Sequence, residues 1–180
     1  IRVPKKKKKS HYKSWQYSPH HGNDIKWFIH QILRGSLTTN TRLVKMKIRN
    51  CALCTFCGQS DEKISHLFWD CGVVSQFLTE IKDEMDRICP FFDIGFGRAN
   101  IYGKEVFLLG DNRRDSGMAP NYFYNITKKF IWNVRCREGQ LAVGAFFSFI
   151  RKRLQIDRPL ARKYDNLAFI GLSATRLGIG

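Results

Sequence analysis

Apolar residues recur along much of this chain at spacings of three and four, the period of a helix with one buried face. Between Asp24 and Arg34, residues Ile25, Phe28, Ile29, Ile32 and Leu33 share one side. Asp24 is a fitting N-cap for that helix and Gly35 a fitting stop. A second helix is predicted to begin near Asn40 or Thr41. It would carry Val44 and Ile48 on an apolar face, with Arg42, Lys45 and Arg49 clustered within ~60° on the opposite one. Val74, Leu78, Ile81 and Met85 form the next stripe, which should end near Cys89-Pro90. Phe123, Ile126, Phe130 and Val134 predict a helix over about residues 121–137. Val143, Phe146, Phe147, Ile150 and Leu154 predict another over about 141–155. Asp157 should then cap a further helix with Pro159 inside its first turn. The pattern breaks down between 91 and 120, where "EVFLLG" reads as a short strand or a buried turn. The fold class implied is mainly α.

Composition bounds the rest. The chain has 180 residues, 43% hydrophobic and 13% aromatic, enough for one real core with at most a small satellite. No apolar run approaches the ~20 residues that span a bilayer. "IRVPKKKKKS" lacks an initiator methionine and the apolar stretch of a secretory signal, so the chain is expected to be the downstream piece of a longer polypeptide. Residues 1–22 read as a disordered basic arm, with His11, His20 and His21 exposed to solvent. Its "PKKKKK" suits a nuclear-import signal, a nucleic-acid arm or a plain solvated linker. The lysine run suits an intracellular setting, nuclear or cytoplasmic, better than a secreted one.

Charge sharpens the picture because it is uneven. The formal net charge is +16. Residues 1–50 hold 13 basic side chains and 1 acidic one, residues 51–90 hold 3 and 7, and residues 91–180 hold 15 and 7. Such a surplus suggests a polyanionic partner bound largely through counterion release. The basic surplus flanks the segment 51–88, which is itself acidic on balance. Within the basic half, Arg42, Lys45, Lys47 and Arg49 are the candidate phosphate contacts, against the commoner reading of a solvated face.

The segment 51–71, "CALCTFCGQSDEKISHLFWDC", carries four of the six cysteines. Cys54, Cys57, His66 and Cys71 have the spacing C-x2-C-x8-H-x4-C. A C-x2-C turn aims two sulfurs at one point, and a later His and Cys can close a tetrahedron. Three thiolates and an imidazole suit zinc in a closed, structural site. Cys51 and Cys54 form a second C-x2-C pair, but Gly58 after Cys57 permits the turn such a CCHC knuckle needs, which favours Cys54 and Cys57. The competing readings are a disulfide knot and a pair of core cysteines beside a core histidine. His66 and Cys71 lie ~140° apart on an ideal helix. One is therefore expected at a helix entrance and the other in the early turns, braced by the helix that follows to about residue 87.

"LCTFCGQSDEKISHLFWDC" resembles the zinc-binding segment that follows the polymerase domain in reverse transcriptases of non-LTR retrotransposons. That pattern runs C-x-F-C, an acidic residue, then H-L-F-x-x-C. Cys54, Phe56, Cys57, Glu62, His66, Leu67, Phe68 and Cys71 fall on it. "LTTNTRLVKMKI" and "GAFFSFIRKRLQIDRPLA" are similar to the family's approach to the knuckle and to its helical end. Lys63, where threonine is usual, and Leu78, where tryptophan often stands, depart from it. The resemblance implies a carboxyl-terminal part of a longer enzyme, bound to RNA or DNA and joined to an upstream polymerase domain, used in target-primed reverse transcription.

The chain itself offers no chemistry. It has no Asp-Asp pair of the kind a two-magnesium polymerase site uses, no H-x-E with P-C-x-x-C, and no phosphate-binding glycine loop. A small-molecule substrate and a membrane are not expected. The organisation expected is a basic arm (1–22), a helical approach (23–50), the knuckle with its bracing helix (51–88) and a helical C-terminal region (89–180). Zinc would join the basic approach to the helices beyond, while Phe56, Phe68 and Trp69 are candidates for stacking on bases. Two other classes remain: a zinc-stapled protein-interaction module using acidic residues 79–86, and a relic of a mobile element without function.

Overall fold

The computed structural model describes residues 22–88, 103–110 and 118–163. Residues 1–21 of the expected arm (1–22) lie outside them. Among the described residues six helices and one π-turn follow in order: α1 (Asn23–Leu33), α2 (Asn40–Lys45), the π-turn (His66–Asp70), α3 (Gly72–Ile88), α4 (Gly103–Leu109), α5 (Met118–Cys136) and α6 (Val143–Lys163). Among the described residues there is no sheet, only a single bridge between Leu53 and Asp61. The mainly helical expectation holds.

α5 is the central helix, packed against α1, α4 and α6, while α3 leans on α6 and on the π-turn. The predicted stripes are the buried ones. Ile25, Phe28, Ile29 and Ile32 of α1, Val74, Leu78, Ile81 and Met85 of α3, and Phe123, Ile126 and Phe130 of α5 all lie in the core. Aromatic rings carry much of the packing. Phe146 meets Phe77, Phe123 and Phe130 with centroids 5.8, 5.7 and 5.4 Å away, in the edge-to-face arrangements that ring quadrupoles favour. Phe28 connects this core to the metal segment through the edge of Phe68 at 6.2 Å.

Helix ends depart from expectation in instructive ways. Gly22, not Asp24, occupies the N-cap of α1. Asp24 instead accepts two hydrogen bonds from Arg153 of α6, at 2.8 and 2.9 Å. Asp157 likewise caps nothing. It is buried within α6, bound by Arg153 at 2.8 Å and by the Tyr122 hydroxyl at 3.0 Å. α6 therefore continues through Pro159 where a new helix was expected. The Asp24–Arg153–Asp157 cluster ties its last described turns to α1, and that pairing competes successfully with a cap. "EVFLLG" is neither strand nor turn but most of α4, with Phe107 and Leu108 buried.

The predicted basic helix is cut short. α2 ends at Lys45, and Lys47 takes a left-handed conformation with φ 57°. The Ile48 amide bonds Leu43 O and the Lys47 amide bonds Val44 O, both at 2.9 Å, which is the Schellman pattern of a helix end. Arg49 thus leaves the helical face it was predicted to share with Arg42 and Lys45, and Ile48 is left exposed.

Candidate metal centre

The loop after α2 builds a tight turn from Cys54 to Gly58. The Gly58 amide bonds Cys54 O at 2.9 Å, and Gly58 adopts φ 63°, where a side chain would be strained. This closes the C-x2-C pair around the residue expected to permit it. Cys51 is exposed and stands apart from the cluster.

The second half of the centre depends on the π-turn. In an α-helix His66 and Cys71 would diverge, but here the Cys71 amide bonds His66 O at 2.9 Å, an i to i+5 closure. Widening the turn brings residues five apart onto nearly the same side. Cys71 then sits at the entrance of α3, where the Ser75 amide bonds its carbonyl at 2.8 Å. One ligand at a helix entrance was expected; the other lies in the preceding π-turn and not in the helix's early turns.

The ligand atoms of Cys54, Cys57, His66 and Cys71 lie within 4.8 Å of one another. Cys54 Sγ and Cys71 Sγ are 3.9 Å apart, and Cys57 Sγ is 3.4 Å from His66 Nε2. With Zn–S near 2.3 Å and Zn–N near 2.0–2.1 Å, a zinc tetrahedron has S···S edges of about 3.8 Å and S···N edges of about 3.5 Å. These two separations match such edges, and 3.9 Å is far too long for a disulfide, whose S–S bond is about 2.05 Å. The donor set fits structural zinc.

The thiols are differently poised. Burial pushes Cys54 up to about 12, against hydrogen bonds from the Cys57 and Phe56 amides. Burial also raises Cys71, although the Val74 and Val73 amides at the start of α3 oppose it. Cys57 feels less burial; the Gln59 amide and His66 bring it down to about 6. A metal arriving at neutral pH meets one ready thiolate and displaces protons from the other two.

Behind the sulfurs lies a buried polar hub that the spacing of the ligands does not announce. Glu62 is fully buried. Its Oε2 accepts from the Thr55 amide at 3.1 Å and the Thr55 hydroxyl at 2.9 Å, and Thr55 lies inside the C-x2-C turn. Its Oε1 accepts from the Asn40 amide at 2.9 Å and from Arg135 Nε and Nη2 at 3.0 and 2.6 Å. Arg135 Nη2 also bonds Asn40 Oδ1 at 2.6 Å, and Asn40 Nδ2 bonds Leu53 O at 2.7 Å. Burial alone would push the Glu62 carboxyl up, but Arg135, Thr55 and Asn40 outweigh it and hold it below the usual carboxylate range. Glu62 falls on the motif, whereas Asn40 and Arg135 carry no such mark. A signal existed for Arg135: it lies one and two turns beyond buried Ile131 and Thr127, on an inward face of α5.

The candidate phosphate contacts do not form one patch. Lys45 and Lys47 are exposed, and among the described residues no acidic side chain pairs with either. Arg42 donates to Gly35 O at 2.8 Å. Arg49 turns back to Asn40 Oδ1 at 3.0 Å and lies 3.7 Å from Glu138. Of the proposed stacking rings, Phe68 is fully buried and Trp69 packs on Phe107 at 5.5 Å. Phe56 is partly buried against the core. Among the described residues the exposed ring is Trp27, 62% accessible and stacked on His30 at 5.4 Å. It falls outside the apolar stripe of α1, which is the sequence signal for it.

Residues 2–77 match the family model described as zinc-binding in reverse transcriptase. All four ligand positions fall inside the match. This stretch is a reverse-transcriptase zinc-binding region. No curated protein and no solved structure matches the chain. The region's hub is completed from outside the match, because Arg135 lies on α5.

Proposed function

We propose that this chain binds RNA or DNA as the carboxyl-terminal part of a longer reverse transcriptase of the non-LTR retrotransposon type. It holds template or target beside an upstream polymerase domain and performs no chemistry itself. Zinc held by Cys54, Cys57, His66 and Cys71 would serve as a structural brace between the basic approach and the helices. The observation that carries this reading is the charge placement: thirteen bases against one acid in residues 1–50. Lys45 and Lys47 stand exposed at the end of that stretch, directly before the metal loop. Phosphates are the complement of such a surface. Trp27, exposed on α1, offers an aromatic ring for an unstacked base.

The acidic residues of α3 give less support to a protein-interaction module. Glu80 accepts from Gln76, Asp86 pairs with Lys82, and Glu84 pairs with Arg87, all within the helix.

Titrating single-stranded RNA and duplex DNA at several salt concentrations tests the proposal. Affinity should fall steeply with salt, and replacing Lys45 and Lys47 with alanine should lower the log–log slope by about 1.5 to 2. Affinity that stays level between low and high salt would exclude phosphate recognition.

A further inference from the structure

We infer that Arg135 is a positioning residue of the zinc centre, acting through Glu62 on the backbone between Cys54 and Cys57. The inference rests on the zinc-binding assignment and not on nucleic-acid binding. Two sulfurs three residues apart converge on one ion only while the intervening turn is held, and Thr55 is in that turn. Both hydrogen-bond donors of Thr55, its amide and its hydroxyl, are taken by Glu62 Oε2. The residue before Cys54 is held as well, because Leu53 O accepts from Asn40 Nδ2.

Neither clamp is stable alone. A carboxylate with no solvent contact must be paired or it neutralises and lets go. Within the segment 22–88, Glu62 has amides and a hydroxyl as partners but no cation; the paired charge is Arg135, 73 positions later. One guanidinium bonds both Glu62 Oε1 and Asn40 Oδ1, the two residues that grip positions 55 and 53. Arg135 is itself fixed, buried and stacked over Trp132 with its guanidinium carbon 4.9 Å from the ring centroid. Lysine could not reproduce this, having no planar fork.

Zinc retention should therefore depend on α5, though α5 supplies no ligand. The experiment loads the full chain with zinc, adds excess chelator and follows metal release, comparing Arg135→Met with Ile131→Ala. Ile131 is fully buried one turn earlier on the same helix, so its truncation weakens packing without touching the clamp. Arg135→Met should release zinc at least tenfold faster than the native chain and at least fivefold faster than Ile131→Ala. The cobalt-loaded form should show altered thiolate-to-metal absorption in Arg135→Met and native absorption in Ile131→Ala. A smaller margin between the two variants, or equal spectra, overturns the inference and leaves Arg135 a packing residue. If Arg135→Met gives no folded protein, Arg135→Lys decides: release at least threefold faster than native supports the clamp, and anything slower rejects it.

Discussion

The metal loop and the helical core are held together by opposite means. Residues 51–71 bury few side chains of their own; Cys54, Glu62, Leu67, Phe68 and Cys71 are enclosed, and most of the rest are exposed or half-exposed. Their shape comes from directional contacts: four ligand atoms, a left-handed glycine, an i to i+5 closure and the Glu62 hub. The core of α1, α3, α5 and α6 is held by non-directional burial of rings and aliphatic chains. Directional contacts fail all at once when one partner leaves, because the others are then misaimed. Burial fails by degrees, in proportion to the area and volume lost. The two regions touch at the π-turn's packing on α3, at Phe28–Phe68 and at Arg135–Glu62, so one kind of stability is coupled to the other.

The largest expected effect separates the regions outright. Chelation, or Cys71→Ser, removes a binding free energy of about 10 kcal/mol for a structural zinc site. Amide exchange over 51–71 should then approach that of an open chain, while the middle of α5 keeps its protection. Uniform loss along the chain would show that the loop and core are one unit. Because Cys54 is pushed up to about 12 and Cys71 is also raised, while Cys57 lies near 6, binding near neutrality should expel two protons. The apparent affinity should rise about a hundredfold per pH unit there.

Phe146→Ala tests the other region. Phe146 is fully buried among four other phenyl rings, and its truncation should cost about 3–5 kcal/mol in denaturant unfolding. The cobalt spectrum of the metal-loaded variant should stay native. A changed spectrum would mean that core packing, and not the hub, sets ligand geometry.

The smallest effect concerns a polar intruder in the core. Lys128 is buried beside Phe107, with Leu108 O its hydrogen-bond acceptor at 3.3 Å, and burial lowers it to about 7. The unfolded chain then binds more protons than the folded one between about pH 7 and the ordinary lysine value near 10.4, so Lys128 makes stability rise with pH across that window. Lys128→Met should stabilise the fold by about 1–3 kcal/mol at pH 7 and flatten that rise. An unchanged pH profile would place the ammonium in contact with water.

Much of this was legible in advance where the physics is local. Stripes at Ile25–Ile32, Val74–Met85 and Phe123–Phe130 must turn inward because nothing else satisfies them. The four ligands shared one spacing pattern, with Gly58 marking the turn. What could not be read was where competing partners win. Asp24 and Asp157 looked like caps until Arg153 drew both away. Arg49 looked like part of a basic helix, but the helix stops at Lys45 and the side chain turns toward Asn40 and Glu138.

The sequence by itself determined the helical class, the inward faces and the donor set for zinc, since periodicity and ligand chemistry are properties of neighbours along the chain. Only the tertiary structure decided that a π-turn would align His66 with Cys71. It alone decided that the turn between Cys54 and Cys57 would hang from a guanidinium on α5. A buried carboxylate takes whatever cation the fold brings to it, and spacing in sequence carries no record of that meeting.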